Sequence, residues 1–273
     1  MNTKTINFSV YAVFLLLLAA RSALAQNADT AELSKKLANP IANLISVPIE
    51  YNKDSNIGPS EDGEVKSIKF TPVVPFDVGE DWTMISRTIF SLVEQDLPDA
   101  DIDTSGISDI ALTLYFTPKE VGPSGTIWGV GPIILLDSAS EESLGAGKYG
   151  LGPAAVALQQ NGPWTYGGLT YYLKDIEGEG DGRDRVEQFF LQPFLSYQFE
   201  DGKTSITVQT EATRDLENDE TLAFALVQYN RMFNWGSQIM QWRLGVRHWY
   251  EDGDGTGPDS TELNARITFL FPQ

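Results

Sequence analysis

The side chains best suited to chemistry are charged and amide groups that recur at every second position. Gln241, Arg243 and Arg247 share one segment, Asn264 and Arg266 the next, and Gln209 and Glu211 an earlier one, with Arg87, Asp109 and Gln192 in comparable settings. A two-residue spacing places each set on one face of an extended strand. Gly245 leaves room between Arg243 and Arg247. Guanidinium and carboxylate groups gathered on one face order water, pair with one another and sort solutes by charge. These ten positions are therefore candidates for the wall of a lumen. A water-filled lumen and a salt-bridged, closed one both remain open, because about eight strands enclose only side chains or one small ligand, while about 16 to 18 leave a wide channel.

Catalysis and metal binding have weaker claims. The lone histidine, His248, shares the apolar parity of Trp242, Leu244 and Val246, and its segment contains no serine. A hydrolase needs a nucleophile within reach and a partner to orient the ring, so a histidine at the rim is the preferred reading. Cysteine is absent, which removes thiol chemistry, disulfides and a lipid-anchored cysteine. Asp252-Gly253-Asp254-Gly255-Thr256-Gly257 starts like a calcium loop, but Leu263 occupies the place of the bidentate glutamate. The expectation is no catalytic residue, no dedicated metal site and no cofactor, with weak divalent-cation binding by acidic loops.

What must position these residues is a set of strands outside the cytoplasm. Residues 1–25 read as a cleavable export signal: Lys4, an apolar run over 10–20, then Ala23-Leu24-Ala25. Its removal takes Lys4 and Arg21 and leaves 17 basic against 38 acidic residues, a formal charge of −21. Such a balance repels nucleic acid. Residues 26–40 are expected to carry a short periplasmic helix over 29–38, capped by Thr30 and stopped by Asn39-Pro40. The rest, 41–273, is read as one domain of about twelve strands, each about ten residues long, the length that crosses a bilayer core.

The final strand, 261–271, is the clearest, above all from residue 263 onward. Leu263, Ala265, Ile267, Phe269 and Phe271 point one way, and Glu262, Asn264, Arg266 and Thr268 the other. The remaining strands are placed at 41–52, 65–76, 82–92, 107–117, 126–136, 149–159, 164–173, 187–199, 205–213, 222–233 and 239–250. Connections alternate in kind: short ones at 77–81, 118–125, 160–163, 200–204 and 234–238, and acidic, mostly longer ones at 53–64, 93–106, 137–148, 174–186, 214–221 and 251–260. Outer-membrane barrels sort their turns in this way, and aromatic residues near strand ends, such as Trp82, Trp164, Phe199 and Trp235, fit an interfacial girdle. Pro48, Pro72, Pro75, Pro132, Pro153 and Pro193 resist the scheme, since proline cannot donate to a ladder. The repeated Trp128-Gly129-Val130-Gly131-Pro132 and Tyr149-Gly150-Leu151-Gly152-Pro153 leave room for close approach of the N-terminal helix or a solute, although sheet curvature is the preferred explanation.

Several runs resemble a Gram-negative envelope family: Leu37-Ala38-Asn39-Pro40-Ile41-Ala42, Asp81-Trp82-Thr83-Met84-Ile85-Ser86-Arg87-Thr88-Ile89, Phe116-Thr117-Pro118-Lys119, Gly162-Pro163-Trp164-Thr165-Tyr166-Gly167 and Leu191-Gln192-Pro193-Phe194-Leu195-Ser196-Tyr197, with the Trp128 repeat. Its members are often labelled transporter or, misleadingly, neuromedin U, and it is similar to the outer-membrane proteins of the MetA pathway of phenol degradation. The resemblance implies an outer-membrane β-barrel moving small solutes, aromatic or hydrophobic ones among them, and brings no catalytic residues. The reading is thus an all-β transmembrane barrel for passive passage, in contact with outer-membrane lipid and lipopolysaccharide. Its rivals are an envelope barrel enzyme acting on lipid through His248, and a closed structural barrel whose acidic loops bridge to lipopolysaccharide through cations.

Overall fold

In the computed structural model, which describes residues 30–176 and 183–272, alternating side chains carry the chain through fourteen strands behind one short helix. The helix is α1 (Thr30–Leu37). The strands are β1 (Ile45–Ile57), β2 (Gly63–Phe70), β3 (Val73–Val78), β4 (Trp82–Leu97), β5 (Ile102–Ile107), β6 (Ile110–Pro118), β7 (Thr126–Leu136) and β8 (Gly150–Asn161), then β9 (Trp164–Asp175), β10 (Glu187–Gln198), β11 (Thr204–Asp215), β12 (Thr221–Trp235), β13 (Gln238–Asp252) and β14 (Thr261–Phe271). The export signal expected at 1–25 lies outside the described residues.

All pairings are antiparallel, and β1 pairs with β14 from Ile45↔Phe271 to Tyr51↔Ala265, so the sheet closes on itself. Twelve strands form the ring; β3 continues β2 and β5 precedes β6, each pairing with the length of β4 that its longer companion leaves open. Closure removes sheet edges, the condition for a strand-built wall in hydrocarbon, where an unpaired backbone group costs several kcal/mol. The expected strands at 126–136 and 261–271 keep those bounds. Those at 65–76 and 107–117 are each broken, at Thr71-Pro72 and at Ser108-Asp109.

Two expected loops are corrected. Most of 53–64 and 93–106 is strand, because β1 runs on to Ile57 and β4 to Leu97. No apolar period marks these extensions, yet Glu64 holds Lys53 at 2.6 Å and Lys66 at 2.5 Å. Backbone pairing in water needs only compatible neighbours across the ladder. The sorting of connections is therefore partial: 137–149 and 253–260 are long, whereas 58–62 is a tight hairpin. Acidic residues still crowd that end, among them Asp99, Glu141, Asp219 and Asp254.

The prolines find places that spare one side of each strand. Pro132 and Pro153 face each other in the β7–β8 ladder, while the β6–β7 register skips Gly131 and Pro132 and the β8–β9 register skips Gly152 and Pro153. Pro193 likewise stays in register with β9 but is skipped toward β11. Each missing N–H thus costs its strand pairing toward one neighbour only. The glycines answer the same crowding, since a side chain at Gly131 or Gly152 would collide with the carbonyl of Leu114 or Tyr172. Gly129 does accommodate the N-terminal segment, a Cβ there falling 3.3 Å from Ile41 Cδ1, so curvature and close approach both contribute.

Outward side chains form an apolar belt, with Leu263 76 % and Trp235 75 % exposed. Rings cluster near the short turns, where Trp82 lies 5.9 Å from Trp128 and Trp164 lies 4.7 Å from Tyr197. Inside, two apolar cores sit apart. One joins Ile85, Tyr115, Ile133, Val156, Leu158 and Leu169 around Ile41. The other seats Leu33 and Leu37 of α1 against Leu44, Met232 and Leu270.

Candidate functional site

Strand register lines up a row of inward side chains across the seam where the ring closes. Lys69 lies opposite Glu50, Glu50 opposite Arg266, Arg266 opposite Arg243, Arg243 opposite Asn230, and Asn230 opposite Ser205. Glu50 is buried and receives Arg266 Nε at 2.5 Å, a second Arg266 nitrogen, and Lys69 Nζ at 3.1 Å. Arg243 Nε donates to Asn230 Oδ1 at 2.6 Å. One carboxylate therefore ties β14, β1 and β2 together and offsets part of a run of like charges.

This row borders an interior cavity of about 330 Å³. Its polar wall carries Lys69, Gln209, Glu211, Arg243 and Arg266; Glu211 accepts Gln192 Nε2 at 2.9 Å and Gln209 Nε2 at 2.7 Å. Its opposite wall is apolar, with Ile89, Leu169, Tyr171, Phe190 and Phe194, and Tyr171 stacks on Phe190 at 4.7 Å. The segment from Lys36 to Leu44 lies along the cavity on the side of the short turns. Gln198 Nε2 donates to Ala31 O and Gln160 Nε2 to Lys35 O, each at 2.9 Å, so α1 is held within the ring. The helix expected at 29–38 is thus observed at 30–37, seated in the barrel end.

The ten sequence candidates separate by position. Arg87, Gln192, Gln209, Glu211, Arg243 and Arg266 line the cavity. Gln241, Arg247 and Asn264 are buried off it: Asn264 Nδ2 reaches Asn52 Oδ1 at 2.8 Å, and Arg247 pairs with Asp54 at 2.5 Å, its guanidinium over the touching rings of Phe224 and Trp249. Asp109 does not line the cavity. Its carboxylate accepts the backbone N–H groups of Ser138, Ala139 and Ala146 at 2.9, 2.8 and 2.7 Å, which pins the long β7–β8 connection. Asp109 sits in the break between β5 and β6, so strand parity carries no information there.

Glu50, Lys69 and Tyr171 were missed. Alternation of Ser46, Pro48, Glu50 and Asn52 with Val47, Ile49 and Tyr51 was the available signal for Glu50. His248 faces outward as its parity implied and meets Thr261 Oγ1 at 2.8 Å. The Asp252 turn is closed by its own groups, Gly257 N–H donating to Asp252 O at 2.6 Å and the Thr256 hydroxyl to Gly253 O at 2.7 Å. Outside the strands, the Thr204 hydroxyl and the N–H groups of Lys203 and Thr204 hold Asp201 below the ordinary aspartate pKa, and Ser60 does the same for Asp99.

The fold and its interior define a closed antiparallel barrel with a partly occupied lumen. Among solved structures, the chain is similar to an outer membrane channel from Pseudomonas putida F1, at 16 % identity and a TM-score of 0.62, covering 85 % of this chain and 97 % of that one. Two others match more weakly: a bacterial polysaccharide outer membrane secretin, at 9 % identity and a TM-score of 0.38 over 85 % of this chain and 99 % of that one, and OccK5 (OpdH) of Pseudomonas aeruginosa, at 8 % identity and a TM-score of 0.29 over 84 % of this chain and 97 % of that one. No family model and no curated protein matches the chain.

Proposed function

We propose that this protein is an outer-membrane channel for the passive passage of small solutes, aromatic or hydrophobic ones among them, after export by a signal at 1–25. In this reading the barrel spans 41–273, and α1 and the short turns face the periplasm. The observation that carries it is a charged, aromatic-walled cavity of about 330 Å³ inside a ring whose outer face is an apolar belt. Ion pairs such as Glu50–Arg266 fix the polar wall, and a solute would move past it along the rings of the other wall. Lipid surrounds the belt, while the acidic end would meet lipopolysaccharide and bind divalent cations weakly. His248 meets the Thr261 hydroxyl and, among the described residues, no carboxylate that would orient its ring, which favours a channel over a lipid-acting enzyme.

Purified protein in a planar bilayer tests this reading through stepwise conductance in potassium chloride. Because α1 sits within the ring, a closed structural barrel is the second reading, and the absence of any conductance step, with the barrel folded, would favour it.

A further inference from the structure

The lumen holds more positive than negative charge, although the whole chain is strongly acidic. Lys69, Arg87, Arg243 and Arg266 face Glu50 and Glu211, whereas the sequence as a whole carries a formal charge of −19. Most of this charge is engaged. Lys69 and Arg266 share Glu50, Arg243 donates to Asn230, and Lys36 at the cavity edge pairs with Glu32 at 2.8 Å.

Arg87 differs. It projects from β4 onto the cavity wall at the border of the apolar half, beside Ile89, and makes neither a hydrogen bond nor an ion pair among the described residues. It shares the cavity wall with Tyr171, whose hydroxyl also lacks a partner among the described residues and whose ring stacks on Phe190 at an interplanar angle of 10°. A guanidinium presents a planar fork of donors that matches a carboxylate. Beside it stand flat aromatic faces and aliphatic side chains, in a cavity within the range of about 300 to 1,000 Å³ typical of small-ligand sites.

The geometry points to a binding site for a small aromatic carboxylate, with the acid group on Arg87 and the Tyr171 hydroxyl and the ring against the Tyr171–Phe190 side. A neutral aromatic of the same shape would leave Arg87 unmatched, and a small acid without a ring would forgo the apolar wall. This inference rests on the channel reading for its biological sense, but binding is measured separately from conduction.

The test is calorimetric titration of the detergent-purified protein with sodium benzoate, benzamide and sodium acetate. Benzoate is expected to bind at least about tenfold more tightly than either comparison ligand, the effect of one charge-assisted, forked contact. Arg87→Gln should remove the preference for benzoate over benzamide, while Arg87→Lys, which keeps the charge, should retain part of it. Heat-modifiable migration on gels confirms that each variant is folded. Equal binding of benzoate and benzamide by the unaltered protein, or unchanged benzoate affinity in Arg87→Gln, would overturn the proposal. Loss of the preference in Arg87→Lys would overturn the charge argument should Arg87→Gln fail to fold. Conductance in potassium chloride, recorded on the same preparation, judges the channel reading alone: its absence together with benzoate binding would sink conduction and leave the site standing.

Discussion

Replacing Glu50 with glutamine isolates the energy stored at the barrel seam. The substitution preserves volume and one carbonyl acceptor, but it leaves Lys69 and Arg266 without their shared carboxylate and Arg243 facing Arg266 directly. Breaking a buried pair by removing one partner costs about 3 to 5 kcal/mol. The Lys69 and Arg266 side chains keep 27 % and 20 % of their exposure toward the lumen, which favours the lower figure, about 3 kcal/mol. With a urea slope of about 3 kcal/mol/M for a chain of this size, the unfolding midpoint in detergent should fall by about 1 M, read by tryptophan fluorescence. A second replacement, Lys69→Met, should restore part of the loss, because the two residues are coupled across one ladder. A midpoint within about 0.2 M of the unaltered protein would refute the argument that this carboxylate holds three strands together.

Other outcomes follow from the same geometry. Leu33→Asp places a charge against Leu44, Met232 and Leu270; α1 should leave its seat, and single-channel conductance should rise severalfold while the barrel stays folded. Gly131→Val should reduce the yield of folded barrel on refolding gels, because its side chain would press on the Leu114 carbonyl, whereas valine at open Gly122 should leave the yield unchanged. Asp201 has a lowered pKa in the folded state, so its contribution is present above the ordinary aspartate value of about 3.9 and is lost as pH falls through the lowered value. Acid titration of thermal stability should therefore be shallower below about pH 4 in Asp201→Asn.

The fold was legible because a bilayer imposes a two-residue period, and the last strand obeys it from Leu263 to Phe269. The hairpin extensions at 53–57 and 93–97 were illegible for the converse reason: beyond the hydrocarbon neither face has to be apolar, and charged neighbours across the ladder, Lys53 with Glu64 and Lys66 with Glu94, accompany the pairing. The polar wall could be read from Arg243, Arg266, Gln209 and Glu211, whose neighbours alternate cleanly. The inner apolar core could not, because inward Ile85, Tyr115 and Ile133 look like any other strand hydrophobics until Ile41 is seen packing on them from within. The part Asp109 plays was not legible, because it depends on a connection about thirty residues further along.

The opposed signs of charge at the acidic end and in the lumen give the protein a barrier followed by a well. An approaching anion meets repulsion across solvent, where a Debye length of about 8 Å at physiological ionic strength blunts it, and then attraction inside a narrow wall where salt penetrates poorly. Brine would lower the first without emptying the second. Entry of anions should thus quicken with salinity even as retention changes little, so the medium, and not a moving part, would set the tempo of uptake.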